Sequence, residues 1–346
     1  MSQNTIFKFL WITDPWETLD HPNDTTLRLI QESVSLGFIN YWCDAESIKL
    51  TNGRVTCNGF LILEVKESRD SNSFKLADAC EMELTVVDSI QFRIDPPVNS
   101  KFLQVYQLVF FSLESLLKDN SNIKIQIVNN PTSILMSDKI EGLFVGNTHP
   151  NTIVSSNCNE LIDFAKKNIK IILKPLNYCQ GLEVNFIDLS DINSEQNLYG
   201  VLKNATENFT RLIVAQEFLH QIQEGETRLW YLDGKLIGFA KKILCSDSYI
   251  INTDKGDKIV ATELTKHQIE LSKKIGVSLM LRGIRLAAID IINDNITDYN
   301  FISPGLLVQI EKVMQKNLAN LIINRFVSQP VFYDSIWKSQ MLKNDI

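Results

Sequence analysis

Residues 289–300, IDIINDNITDYN, set two carboxylates against each other. Read as a tight β-hairpin with Asn293, Asp294 and Asn295 as a three-residue loop, the stretch pairs Ile292 with Ile296 and stands Asp290 directly opposite Asp298. Alternate residues of a strand share a face, so Asn300 joins them there. Like charges directly opposed destabilise a ladder, and two settings relieve them. Either the face is open to water, as a solvated hairpin with a polar turn, or a cation lies between the carboxylates. A hard divalent ion such as Mg2+ suits two carboxylates and an amide oxygen.

At 346 residues, 45% of them hydrophobic and 22% charged, the chain is long enough for two or three domains with cores of their own. The net charge of −7 argues against nucleic acid or an anionic membrane as the main partner, because those need clustered Lys and Arg. The early apolar run IFKFLWI is too short for a signal-peptide core, and no stretch approaches the length of a membrane span. The expected location is cytoplasmic. Six cysteines without a CxxC pair and four scattered histidines suggest neither a zinc site nor a disulfide framework.

IFKFLWI reads as a buried strand, followed by a polar loop and an amphipathic helix with Leu27, Ile30 and Val34 at helical spacing and Gly37 at its end. Asn52-Gly53 marks a hairpin. LTVVDSIQFRI reads as strand, Asp95-Pro96-Pro97 breaks it, SKFLQVYQLVFFSLESLLK is a long helix, and IKIQIVNNP is a further strand. This alternation predicts an open α/β domain. Beyond it, IKIILKPL, TRLIVAQEFL and TRLWYLDGKLIGFAKKI are strands joined by short turns such as Asp233-Gly234. Thr265 and Gln268 are spaced as a capping box at the head of a helix through Ile269, Ile275 and Leu279. LLVQIEKVMQKNLANLIINRF reads as one last helix with Leu307, Ile310, Met314, Leu318 and Leu321 at core spacing.

Two lysines precede the acidic hairpin: Lys139 in MSDKIEGLF and Lys174 in IILKPL. Burying an ammonium at a strand end is costly without a partner. Phosphate would serve as one, and snorkelling to solvent is the other outcome. The backbone of AQEFL, residues 215–219, could meet a purine edge.

In this order the motifs resemble the ATP-grasp superfamily and, within it, the bacterial glutathione synthetase family. The resemblance runs from about residue 8 to 323 and rests on DPWETLDHPNDTT, FRIDPPVNSKF, IVNNPTSILMSDK, IILKPL, AQEFL, GETRLWYLDG and AIDIINDNITDYNFISP. It implies an α/β (α+β) fold: an N-terminal open α/β domain over 1–124, a small ATP-grasp lobe over 125–210, a C-terminal lobe with the metal site over 211–326, and a tail over 327–346. It implies ATP and Mg2+ as cofactors, with a metal pair on Asp290, Asp298 and Asn300. Lys139 and Lys174 would reach the phosphates, Gln216, Glu217, Phe218 and Leu219 would line the adenine pocket, and Glu226 would take the ribose. Arg228 and Lys242 would face the phosphoryl group in transfer. Arg93 beside Asp95 would bind the peptide carboxylate, and Ser303 and Pro304 would border the incoming amine. The implied reaction activates a carboxylate as an acyl phosphate, which an amine attacks, with short-peptide or small-molecule substrates and a homo-oligomeric enzyme.

Three departures accompany the resemblance. NYCQGLEV keeps only Gly181 where the family has a glycine-rich loop, LCSDSYIINTDKGDKI replaces a second run of glycines, and Asp298 stands where glutamate is usual. They leave open a ligase for another peptide or metabolite, or a nucleotide-binding relative with little catalysis.

Overall fold

A computed structural model describes residues 6–66, 73–119, 125–129, 133, 140–146, 148–176, 183–191, 195–245, 249 and 256–331. The chain forms two compact units: Met1–Met136 with Leu279–Ala287 and Phe301–Ile346, and Ser137–Ser278 with Ala288–Asn300.

The first unit holds strands β1 (Lys8–Thr13), β2 (Ile39–Asp44), β3 (Lys49–Thr51), β4 (Arg54–Val65), β5 (Phe74–Leu76), β6 (Cys80–Glu83), β7 (Ser89–Arg93) and β8 (Gln126–Ile127). Their order is β3-β4-β2-β1-β7-β8, with β5 and β6 also paired to β4. β1 runs parallel to β2 and β7, and its Phe9, Leu10, Trp11 and Ile12 are fully buried. A strand inside a parallel sheet covered on both faces reads as an unbroken apolar run, as IFKFLWI does. Asn52 and Gly53 take φ of 51° and 81°, the positive values that a two-residue type I′ turn requires. Helix α1 (Thr25–Ser35) starts at Asp24, whose carboxylate accepts the Leu27 N–H at 2.8 Å, and α2 (Ser100–Asp119) follows β7.

Two strand expectations shorten. Leu84–Val86 is a 3-10 turn rather than strand, and among the described residues of IKIQIVNNP only Gln126 and Ile127 form strand, β8. At its end Asn129 takes φ 64° and turns its side chain to the late chain segments. Its Nδ2 donates to the Leu286 and Phe301 carbonyls at 2.9 and 2.6 Å, while its Oδ1 accepts the Arg285 and Leu286 N–H groups at 2.8 and 2.9 Å.

The second unit holds two sheets. β9 (Thr152–Ser155), β10 (Lys170–Pro175), β11 (Asn185–Asp188) and β12 (Ile213–Glu217) form one in the order β11-β10-β12-β9, accompanied by helices α3 (Cys158–Asn168) and α4 (Glu195–Ala205). β13 (Glu226–Leu232), β14 (Lys235–Ile243), β15 (Lys258–Val260), β16 (Leu286–Ile292) and β17 (Asn295–Asn300) form the other in the order β15-β14-β13-β16-β17. Helix α5 (Lys266–Leu281) opens with the expected capping box: Thr265 Oγ1 accepts the Gln268 N–H at 3.1 Å and Gln268 Oε1 accepts the Thr265 N–H at 3.0 Å. A Cβ on Gly276 of this helix would lie 2.0 Å from the Gly234 carbonyl oxygen, so only glycine permits that approach to the β13–β14 turn.

The last expected helix is two, α6 (Leu307–Met314) and α7 (Leu318–Ser328). Gln315 takes the left-handed conformation (φ 53°), and Asn317 caps the second helix by accepting the Asn320 N–H at 2.8 Å. The break rotates the faces, and Leu321, expected in the core, is 47% exposed.

Candidate functional site

Strand alternation gives the four-stranded sheet two different faces. Ile171, Leu173, Ile213 and Ala215 pack with Leu161 and Ala165 of α3 and Leu198, Leu202 and Ala205 of α4. Ile172 and Lys174 project the other way, as do Val214 and Gln216, their partners being Ile172↔Gln216 and Lys174↔Val214. On that face Ile172, Phe186, Phe218, Leu219, Ile222, Leu244 and Ile292 form an apolar floor that draws on both sheets. Phe218 is edge-on to Phe186 at 4.8 Å between ring centroids. Glu217 projects to solvent, while its N–H donates to the Asn151 carbonyl at 2.8 Å.

Lys174 neither snorkels freely nor stands bare at the strand end. Its Nζ donates to Gln216 Oε1 at 2.9 Å and to the Thr297 carbonyl at 2.9 Å, joining β10 to β12 and to β17 across the floor. Gln216 in turn donates from Nε2 to Thr152 Oγ1 at 3.0 Å.

The hairpin keeps its opposed aspartates by a route the sequence does not display. The turn is Asn293-Asp294 alone, so Ile292 pairs with Asn295 and Ile291 with Ile296; the expected Ile292–Ile296 pair is not formed. A bulge then passes over Thr297 and restores Asp290 opposite Asp298, with Ala288 opposite Asn300. Two errors of one residue cancel. The bulge also sends the Thr297 carbonyl to Lys174 and its hydroxyl to Glu226 Oε1 at 2.7 Å.

The two aspartates differ sharply in setting. Asp290 is 2% exposed, and Arg228 grips it with Nε to Oδ1 at 2.8 Å and Nη2 to Oδ2 at 2.7 Å. Lys242 Nζ lies 3.0 Å from the same Oδ2 and ion-pairs with Glu226, its cross-strand neighbour. Burial alone would push the Asp290 carboxyl up, but the Arg228 and Lys242 charges outweigh it and hold the group well below the usual carboxylate range. Arg228 likewise is kept charged by Asp290 against the cost of its burial. Asp298 and Asn300 are only half-buried, and the Asn300 Nδ2 sits 3.5 Å from Asp290 Oδ2. Among the described residues, no group of three or more His, Cys, Asp or Glu side chains is placed to hold a metal ion. Asp290, Asp298 and Asn300 supply oxygens of the kind a hard cation takes, and a cation here would share Asp290 with Arg228 and Lys242, whose donors both of its oxygens already meet.

Lys139 lies outside the described residues, as do Tyr178, Gln180 and Gly181. Lys174, Gln216, Phe218, Leu219, Glu226, Arg228, Lys242, Asp290, Asp298 and Asn300 all belong to the second unit. Thr297 and the floor residues Ile172, Phe186, Leu244 and Ile292 belong with them and went unread in the sequence. Phe186 and Ile172 carry a strand-alternation signal, whereas Thr297 carries none.

Arg93, Asp95, Ser303 and Pro304 cluster in the first unit. Buried Arg93 donates from Nε to Thr26 Oγ1 at 2.9 Å and from Nη2 to the Pro304 carbonyl at 3.0 Å. The Asp95 N–H donates to Asp14 Oδ2 at 2.8 Å, and the Ser303 hydroxyl reaches the Asp95 carboxylate. The first-unit cluster thus ties the end of β7 to the start of α1 and to the segment ahead of α6.

The family model for the N-terminal domain of prokaryotic glutathione synthetase matches residues 7–134, and the model for the ATP-grasp domain of prokaryotic glutathione synthetase matches residues 138–315. The glutathione synthetase of Neisseria meningitidis is 26% identical over 309 residues, covering 88% of this chain and 93% of that protein. Among solved structures, the ATP-grasp ligase PsnB with its minimal precursor superposes with a TM-score of 0.58 at 13% identity, over 92% of this chain and 98% of that one. The D-cycloserine synthetase DcsG superposes with a TM-score of 0.59 at 12% identity, over 92% and 99%. These two likenesses speak for the fold. No helix among the described residues is long and apolar enough to cross a membrane.

Proposed function

The chain belongs to the prokaryotic glutathione synthetase family and is an ATP-grasp carboxylate–amine ligase; from that premise we propose that it joins γ-glutamylcysteine to glycine, consuming ATP in the cytoplasm. The observation that carries the reading is the Lys174–Gln216–Thr297 bridge over an apolar floor beside the Asp290–Arg228–Lys242 group. In this reading the purine lies against Ile172, Leu219 and Ile292, with the backbone at Glu217 and Leu219 along its edge. Lys174 then supplies an ammonium to the phosphates. Mg2+, when bound with the nucleotide, neutralises phosphate charge.

The peptide's terminal carboxylate oxygen attacks the γ-phosphorus, the bond to the bridging oxygen breaks, and ADP leaves. The glycine amine then attacks the acyl carbon, loses a proton, and expels inorganic phosphate. Arg228 and Lys242 face this charge as fixed cations that need no reorganisation. The family resemblance assigns the peptide and amine to Arg93, Asp95, Ser303 and Pro304, of which Arg93 already donates to Thr26 and to the Pro304 carbonyl.

ADP release in the presence of γ-glutamylcysteine and glycine, with product identified by mass, tests the reading. Nucleotide turnover that responds to other acceptors but not to this pair would retain the ligase and replace its substrates. That second reading is favoured by NYCQGLEV and LCSDSYIINTDKGDKI, which depart from the glycine-rich runs of the family.

A further inference from the structure

The acidic hairpin is held from behind as well as from within its sheet. β17 is the last strand of the order β15-β14-β13-β16-β17, so among the described residues one of its edges has no strand beside it. The chain covers that edge at Thr148, whose carbonyl accepts the Ile296 N–H at 2.7 Å. The bulge at Thr297 decides what lies behind. Ile296 and Tyr299 are three residues apart and would face opposite ways in an unbroken strand. With the extra residue they stand opposite Ile291 and Ile289, two apart on β16, so both turn to one face while Asp298 and Asn300 turn to the other.

Gly142, in the 3-10 turn Glu141–Phe144, rests buried against that apolar face. A Cβ built on it would lie 2.9 Å from Ile296 Cγ2 and 3.5 Å from Tyr299 Cδ2. Isoleucine is stiff at χ1, and Ile296 is 3% exposed, so the turn would have to give way instead. Gly142 takes no positive φ. It is needed here for its size alone. Lys139, which the family resemblance assigns to the phosphates, precedes it by three residues in the chain. Resting on the ATP-ligase reading of this unit, we propose that Gly142 is a positioning residue: its bare Cα moors the segment that carries Lys139 to the back of β17. The lysine and the Asp298 and Asn300 side chains on the front of that strand then meet the phosphates of one nucleotide as a single body, which is where small misplacements are costly.

ADP affinity, read by equilibrium dialysis on the full-length protein, tests this without calling on turnover. Gly142→Ala should stay folded and bind ADP about tenfold more weakly, the scale of an overpacked contact. Phe144→Ala, at a residue 70% exposed in the same turn, should bind it as the wild type does. A second variant does not depend on a clash. A Cβ at position 142 would lie 3.8 Å from the Ile296 Cβ, the usual separation across a disulfide, so Gly142→Cys with Ile296→Cys can be locked with diamide and released with dithiothreitol. The released form, its isoleucine seat gone, is expected to bind ADP more weakly than the wild type, and the locked form to recover wild-type affinity. Should Gly142→Ala fail to fold, the cysteine pair decides alone. Unchanged affinity in folded Gly142→Ala, equal weakening in Phe144→Ala, or equal affinity of the locked and released forms would overturn the inference while leaving the ligase reading intact. A wild type that binds no ADP would overturn both.

Discussion

Arg93 and Arg228 are both buried guanidiniums on strands, yet they are held in different ways. Arg93, the last residue of β7, gives its N–H groups to a hydroxyl and a carbonyl, Thr26 and Pro304. Arg228, on β13, gives them to the two oxygens of one carboxylate. The acids nearby register the difference. Asp24 feels the Arg93 charge without being gripped by it, and burial prevails, so its carboxyl is pushed up. Asp290 is deeper still, yet the charges of Arg228 and Lys242 prevail, so its carboxyl is held down. One neighbouring positive charge thus does not offset burial at Asp24, whereas two close charges, one of them in a bidentate fork, do so at Asp290. One arginine serves as a clamp on chain segments, the other as one half of an electrostatic unit.

The sharpest way to break this contrast is Arg228→Leu. It leaves Asp290 buried with Lys242, on one oxygen, as its remaining cationic partner, and a loss of about 3–5 kcal/mol is expected in urea unfolding. A loss below about 1 kcal/mol would mean that the fork is ordinary packing. Next comes Asp290→Asn, which keeps the shape but removes the charge. Mg-ATP turnover should fall a hundredfold or more, on the order of 3 kcal/mol, and an unchanged rate would reduce the group to a structural brace.

Arg93→Gln should cost less, about 1–3 kcal/mol of stability from two lost hydrogen bonds to a charged donor. If it instead abolished turnover while leaving the unfolding midpoint intact, Arg93 would belong to chemistry more than to architecture. The smallest effect is in pH dependence, where the two acids have opposite signs. Asp290 has a folded pKa below its unfolded value, so its contribution is full above roughly pH 4 and is lost as pH falls. Asp24 has a folded pKa above its unfolded value, so its contribution is present below roughly pH 4 and is lost as pH rises. Asp24→Asn retains the helix cap and should gain stability relative to wild type from about pH 4 upward. Asp290→Asn should show its deficit over the same range and recover as pH falls. Urea midpoints across pH would reverse the assignment if the two variants moved together.

Much of the local structure in both units was legible because local period and spacing carry it. The Asp233-Gly234 and Asn52-Gly53 turns, the capping box of Thr265 and Gln268, and the alternating faces of IILKPL and LIVAQEF all express contacts between residues near in the chain. The final helix departs from its expected span for the same reason in reverse. Its apolar spacing continues through Gln315 to Asn317, where one left-handed residue and one cap break it. Asn129 shows the limit more plainly, since a single amide in a short strand meets Arg285, Leu286 and Phe301, more than 150 residues away.

The sequence by itself determined the family, the strand-rich second half, and a hairpin with Asp290 on one strand and Asp298 on the other, because those follow from side-chain period, turn residues and ordered motifs. Tertiary structure alone decided that a bulge at Thr297 sets Asp290 opposite Asp298, that Lys174 closes on Thr297, and that Arg228 and Lys242 claim Asp290. The physical reason is the sheet order. β13 and β16 are neighbours although α5 and more than fifty residues separate them in the chain, and the partner of a buried charge is set by which strands lie side by side. Period along one strand carries no record of that adjacency.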